Sequence, residues 1–296
     1  MLSCRLMGGL GNQLFQIFAT LGLGMKYKKR VIFPYSEKLE TGLTRPTYWD
    51  TIFSEIKNAT TYNAGDPYKI QQHNAYIMTQ MPIIHENGFR YDINVIHIVE
   101  NMRDQKYCLK GYFQTPKYFA ENWHDIITEL KLREKKETVK QKYFELTDKK
   151  TVSMHFRLGD YLTKPEYHNV LSVKYYISAI QKIIDKLKND NLRIICFFEE
   201  GDRERVNISI SVLKKRFKNI EFAEIDAQIP DWEQMLYMSS CDHNIIANSS
   251  FSWWGAYLNE NADRIVCYPC TWFGPAMRHN DIIDMMPHDW NKIIEN

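Results

Sequence analysis

Val152-Ser153-Met154-His155-Phe156-Arg157 alternates apolar with polar side chains, and a period of two is that of a β-strand. Val152, Met154 and Phe156 share one face, and Ser153, His155 and Arg157 share the other. A helical stretch over 174–188 follows, with Ile177, Ile180, Ile184 and Leu187 on one side, and then the unbroken apolar run Ile194-Ile195-Cys196-Phe197-Phe198. A continuous apolar strand suits a parallel sheet covered on both faces, so the three pieces predict a βαβ unit. Downstream the alternation continues: a helix over 203–217, a strand over 220–225, a helix opening at Asp231-Trp232-Glu233, a strand over 244–247, a helix over 250–259 and a strand over 264–268. This repetition predicts a mostly parallel, Rossmann-like sheet, with any ligand beyond the C-terminal ends of its strands.

Upstream the pattern weakens. A strand over 2–7, a helix over 12–27 and a strand over 31–35 precede a loop-rich stretch over 36–110, and the sequence looks helical again from Pro116 to Phe144. Thr147-Asp148-Lys149-Lys150 reads as a junction, dividing the chain into an N-terminal α/β domain over 1–149 and a C-terminal Rossmann-like domain over 150–296. A length of 296 residues with 44% apolar side chains is enough for two such cores.

Thirty-eight basic residues against thirty-six acidic ones leave a formal charge of +2, so no global field draws the chain to nucleic acid or to a membrane surface. No apolar run approaches membrane-spanning length, and the best candidate, Leu14 to Met25, carries Gln16, Thr20 and two glycines with no cationic segment ahead of it. Neither signal peptide nor membrane anchor is expected, which suits a soluble cytoplasmic protein. The cysteines at 4, 108, 196, 241, 267 and 270 sit in apolar contexts and read as reduced thiols, Cys267 and Cys270 included, because no second pair stands at zinc spacing.

Gly8-Gly9-Leu10-Gly11-Asn12-Gln13 invites a phosphate, since glycines admit a ligand close to the backbone and a helix N-terminus favours negative charge. It is not a dinucleotide fingerprint: Leu14 stands where Gly or Ala is needed, and no acidic residue follows at ribose distance, which counts against a nicotinamide oxidoreductase. Asn12 is either a helix cap or a polar group beside the loop. Arg157, with Asp160 just past the strand end, is either a cation for a diphosphate or half of a salt bridge. Asn248-Ser249-Ser250-Phe251-Ser252 joins a strand to a helix carrying Trp253 and Trp254, where a serine caps the helix and its free N–H groups can take a pyrophosphate. No Asp-x-Asp pair occurs, so the usual diphosphate-bound metal ion is not expected.

The glycine loop, Gly111-Tyr112-Phe113-Gln114 before Lys117-Tyr118-Phe119, His155-Phe156-Arg157-Leu158-Gly159-Asp160-Tyr161, Phe197-Phe198-Glu199-Glu200 and Asn248 to Gly255 follow the order of motifs in glycosyltransferase family 11, and over most of its length the chain resembles these inverting α-1,2-fucosyltransferases. The resemblance implies two Rossmann-like domains facing across a cleft (GT-B type), an acceptor-side domain over 1–149 and a GDP-fucose-binding domain over 150–296. It implies transfer of L-fucose from GDP-β-L-fucose to the 2-hydroxyl of a terminal galactose in a glycan acceptor, without a metal cofactor. Donor contacts are expected from His155, Arg157, Glu199, Glu200, Asn248, Ser249, Ser250, Phe251, Ser252, Gly9, Gly11 and Asn12, with a carboxylate of Glu199 or Glu200 reading the guanine edge. Asn12, Gln13, Glu166 and His168 are expected to orient acceptor or fucose, and Asp160 beside Arg157 is the expected general base, with Glu166 and His168 as alternates. The chain departs from the family at Leu158, where a second arginine is usual, and at Phe198-Glu199-Glu200, where Ser-Asp-Asp is usual. Fucosyl transfer of another linkage, including to protein hydroxyls, and a non-catalytic sugar-binding protein are the alternatives.

Overall fold

β1 (Leu2–Cys4) and α1 (Leu10–Lys26) open the chain in a computed structural model that describes residues 1–40, 44–145 and 147–295. After them come the short antiparallel pair β2 (Lys38–Leu39) and β3 (Arg45–Pro46), then α2 (Pro67–Thr79), β4 (Ile83–His85), α3 (Ile93–Asn101), β5 (Tyr107–Lys110), α4 (Trp123–Glu129) and α5 (Leu132–Tyr143). β1, β5 and β4 form a parallel sheet in that order. α1 is apolar almost all round and accordingly buried from Leu10 to Gly24 except at the half-buried Asn12. In place of a strand over 31–35 there are two isolated bridges, Leu2 to Val31 and Phe33 to Thr60. The helical expectation for 116–144 breaks into two 3₁₀ turns, α4 and α5, with Lys131 at φ +48° between the helices.

The second half supplies β6 (Lys150–His155), α6 (Val173–Leu187), β7 (Leu192–Phe197), α7 (Arg203–Arg216), β8 (Glu221–Glu224), α8 (Asp231–Ser240), β9 (His243–Ile245), α9 (Ser250–Tyr257), β10 (Val266–Pro269) and β11 (Asn291–Ile293). All six strands are parallel, in the order β11-β10-β9-β6-β7-β8. Counted from the unit's first strand, this is the doubly wound 3-2-1-4-5-6 arrangement, and its topological switch point lies between β6 and β9. Val152, Met154 and Phe156 enter one core cluster with Ile180, Ile183, Ile194 and Cys196, as the alternation requires. Ser172 caps α6 by accepting the Lys174 N–H, and Lys188 ends it in the left-handed region. The buried stripe of α6 is Tyr175, Tyr176, Ala179, Ile180 and Ile183, while Ile177, Ile184 and Leu187 border it half-buried.

The chain divides into two compact units, one of Met1–Lys135 with Asp281–Met286 and one of Lys136–Asn280 with Pro287–Asn296. The changeover therefore falls at 135/136 rather than 149/150, and a late segment returns to the first unit. Asp284 explains that return: it accepts the Tyr91 N–H at 2.9 Å and pairs with Lys117, while its carbonyl accepts the Thr115 hydroxyl at 2.6 Å. Five cysteines are buried free thiols and Cys270 is half-buried. Among the described residues, no helix is long and apolar enough to cross a membrane.

Candidate functional site

β6 ends at His155, and Arg157 lies two residues on, at the switch point where the chain leaves the sheet. Arg157 is mostly buried; its guanidinium holds Asp160 at 2.6 Å and also pairs with Glu199, which follows β7. Burial works against its charge, but Glu199 and Asp160 outweigh that and keep it firmly protonated. Asp202 sits alongside, accepting the Gly159 N–H at 2.8 Å. Arg157 also lies 5.2 Å from the centre of the Tyr161 ring, which stacks on His168 at 4.1 Å. The Tyr161 hydroxyl donates to the Asn248 carbonyl at 2.9 Å, tying the segment after β6 to the segment after β9.

From the β9 side, Ser249 caps α9, its hydroxyl accepting the Phe251 N–H at 3.3 Å. Phe251 packs on His155 with ring centroids 5.5 Å apart. Asn248 is buried and its amide N–H groups donate to the carbonyls of Asn169 and Trp272, both at 2.8 Å, leaving Oδ1 without a partner. His155 is 6% exposed with Nδ1 likewise unpaired. Orphaned buried polar atoms are uncommon, and two of them flank a helix N-terminus here. The half-buried N-terminus of α9, the Arg157 fork and a His155 Nδ1–H are donors suited to an anion, whereas Asn248 Oδ1 is an acceptor suited to a hydroxyl or N–H of a ligand.

Burial and the Arg157 charge push His155 down to about 3, so it is neutral at physiological pH. In the unfolded chain an imidazole takes a proton near 6.5, so between about 6.5 and 3 the unfolded state binds more protons and stability falls as the pH drops. Between pH 7 and 4.5 the wild type should therefore lose about 2–3 kcal/mol more than His155→Gln in urea unfolding, at ~1.36 kcal/mol per unit. Equal losses would show that His155 titrates as an ordinary imidazole.

Other expected residues are placed differently. The Ser252 hydroxyl is fully buried and turned to the carbonyls of Ala247 and Ser249, so it braces the turn into α9 rather than facing a ligand. Ser250 opens α9. Both Glu200 oxygens are held by Arg203 at 2.7 Å, which also pairs with Glu224, whereas Glu199 is drawn to Arg157. Glu166 is exposed and its carbonyl accepts the Ala276 N–H at 2.7 Å, while His168 bridges to Phe273. Leu158, in the place of a second arginine, packs against the core cluster. Among the described residues, no group of three or more His, Cys, Asp or Glu is placed to hold a metal ion.

In the first unit the glycine loop follows β1. Gly9, not Asn12, is the N-cap of α1. Gly8 rather than Gly9 carries the conformational demand: it has φ +77°, and a Cβ there would lie 2.4 Å from the Asn12 side-chain nitrogen, whereas one on Gly9 would meet nothing. Gly11 is buried in the first turn of α1. Gln13 is fully buried, its amide donating to the carbonyls of Gly8 and Pro46 at 3.0 and 2.9 Å, so it braces the loop while its Oε1 stays without a partner. The Gln114 amide donates to Asn12 Oδ1 at 2.9 Å, joining the segment after β5 to the glycine loop. The sequence reading passed over Gly8, Gln114, Tyr161 and Asp202 as site residues; the first three lie inside quoted motifs, and only Asp202 had no signal beyond its place after two glutamates.

Comparison with known proteins gives the fold type and the family. The Escherichia coli ADP-heptose LPS heptosyltransferase II structure matches with a TM-score of 0.50 at 9% identity, covering 99% of this chain and 89% of that one, which places the fold in the GT-B type. The O-antigen biosynthesis glycosyltransferase WbnK of Escherichia coli is 28% identical over 92% of this chain and 95% of its own. An alpha-1,2-colitosyltransferase of Escherichia coli is 27% identical over 98% of this chain and 97% of its own. The model of glycosyl transferase family 11 matches residues 83–293, a span holding four of the five motifs and the whole second sheet, and the chain is accordingly a member of glycosyl transferase family 11.

Proposed function

We propose that this glycosyltransferase moves L-fucose from GDP-β-L-fucose to the 2-hydroxyl of a terminal galactose, with inversion. The observation that supports it best is the convergence of Arg157, neutral His155 and the capped N-terminus of α9 at the switch point of a family 11 chain. Arg157 and the positive end of the α9 dipole neutralise charge growing on the leaving diphosphate, a task otherwise given to a metal ion. His155, uncharged and buried, adds a hydrogen bond without competing for the phosphates. In binding, the diphosphate takes Arg157 from Glu199, which frees that carboxylate for the guanine edge. Asp160, kept beside the anchor by Arg157, accepts the proton of the attacking hydroxyl. The Met1–Lys135 unit carries the acceptor and the Lys136–Asn280 unit the nucleotide.

The test is GDP release from GDP-fucose in EDTA, with and without β-galactosides, the product linkage being read by NMR. Acceptor-dependent release giving an α-1,2 linkage is expected, and release that requires a divalent metal would overturn the metal-free scheme. Asp160→Asn should lower kcat by ~100-fold or more with donor affinity held, the usual scale for a lost general base. A variant with near-normal turnover would remove Asp160 from that role. The second reading, transfer of colitose through the same linkage, is favoured by the colitosyltransferase relative, and nucleotide-activated colitose belongs in the same assay.

A further inference from the structure

Glu86 follows β4 at the C-terminal end of the first sheet, and nothing in the scheme above uses it. Its carboxylate accepts the Phe113 N–H at 2.7 Å. Phe113 lies at φ +52°, a conformation that a bulky aromatic residue adopts only when its surroundings impose it. Two contacts do so: its fully buried ring meets Tyr118 edge-on at 5.3 Å, and its N–H is held by Glu86. Gly111 is needed for the same approach, because a Cβ there would lie 2.5 Å from the Glu86 Cβ. The next residue, Gln114, donates to Asn12. Glu86, Phe113, Gln114 and Asn12 thus form one connected path across the ends of β4, β5 and β1.

We propose that Glu86 is a positioning residue which, by clamping the Phe113 N–H, sets Gln114 and through it the Asn12 amide that orients a substrate hydroxyl. The role of Asn12 rests on the fucosyltransferase reading; the clamp itself does not. Burial pushes the Glu86 carboxyl up to about 7 against the pull of the Phe113 N–H, the Tyr118 hydroxyl and the Tyr112 N–H, and the Asp92 charge adds to the rise. The titratable groups around it are Asp92 at the start of α3, Tyr118 in the turn after β5 and Cys4 on β1. An ionised carboxylate accepts an N–H more strongly than a protonated one, so the clamp is tight above about pH 7 and loosens below.

The experiment compares wild type and Glu86→Gln from pH 5.5 to 8.5 in two ways. The Asn12 and Gln114 side-chain amide signals are followed by NMR, and kcat and KM are measured by GDP release. In the wild type both amide signals should move with a midpoint near 7 and kcat should rise across it. In Glu86→Gln both responses should be flat, with kcat at pH 8 down roughly tenfold, the difference between a charge-assisted and a neutral hydrogen bond, and donor KM little changed. Glu86→Asp should restore the pH dependence if its shorter carboxylate still reaches Phe113. Amide signals that titrate alike in wild type and Glu86→Gln, or superimposable kcat profiles, would overturn the proposal. If the wild type releases no GDP at any pH, the fucosyltransferase reading fails, and the amide titration alone decides the clamp.

Discussion

Arg157→Ala should lower kcat/KM for acceptor-dependent GDP release by ~100- to 1,000-fold, the range measured when one preorganised donor to a developing negative charge is removed. The loss is expected to be large because Arg157 is the cation to which Asp160 and Glu199 are both paired, with Asp202 beside them at the Gly159 N–H. Without it, an anion would meet Asp160 and Glu199 with no arginine between them, so repulsion adds to the missing attraction. Arg157→Lys separates the two effects. A lysine restores the charge but not the planar fork that grips two oxygens, and should recover only part of the activity. Full recovery would mean that net charge alone matters, and an active Arg157→Ala enzyme would remove the residue from the donor site altogether. Melting temperatures of both variants show whether the fold has survived.

Trp253→Ala should cost about 3–5 kcal/mol of stability in urea unfolding, the usual price of emptying a buried aromatic position. Trp253 is fully buried and its ring lies 5.2 Å from Trp254, 4.5 Å from Tyr257 in a stack, and 5.6 Å from Trp290. Trp254 and Tyr257 lie on α9 itself, and the Trp290 contact joins the helix to the segment just before β11. Because the N-terminus of α9 faces the switch point, the variant should also bind GDP more weakly than its folded fraction accounts for. Trp253→Phe, which keeps much of the apolar volume, should recover most of the stability. A loss below ~1 kcal/mol for the alanine variant would show that the cluster collapses around the gap.

The second sheet was legible because its signals are strong and redundant: unbroken apolar strands such as Ile194–Phe198, and helices with an apolar stripe or, as at Ser249, a capping serine at their start. The first was not, because its strands are only three or four residues long and carry almost no periodicity. α2 was hidden for a different reason. Most of its surface is exposed, so no apolar stripe marks it, although Asp66 accepting the Lys69 N–H and Pro67 at the first helical position make an ordinary start signal. β11 is a three-residue strand near the end of the chain, and Trp290 beside it reads as an isolated aromatic until its partners are known. In the site, Arg157 and the Ser249 cap could be read from local pattern. The pull of Glu199 toward Arg157 and of Glu200 toward Arg203 could not, since which of two adjacent carboxylates meets which cation is decided by the turn after β7 and by the start of α7. Glu86 left no trace at all: a single acid after a short strand gains its meaning only from the backbone N–H that a distant loop brings to it.

The return of Asp281–Met286 to the first unit bears on how family members can be recombined. A chimaera joined once, anywhere near residue 135, would take its amino-terminal half from one parent and Asp284 from the other, so that Tyr91, Thr115 and Lys117 meet a foreign strap. Exchange of the second unit therefore calls for three joints, at 135/136, 280/281 and 286/287, with the six-residue strap travelling alongside the first unit. Libraries built on a single crossover would score many compatible parents as incompatible for want of one matching aspartate.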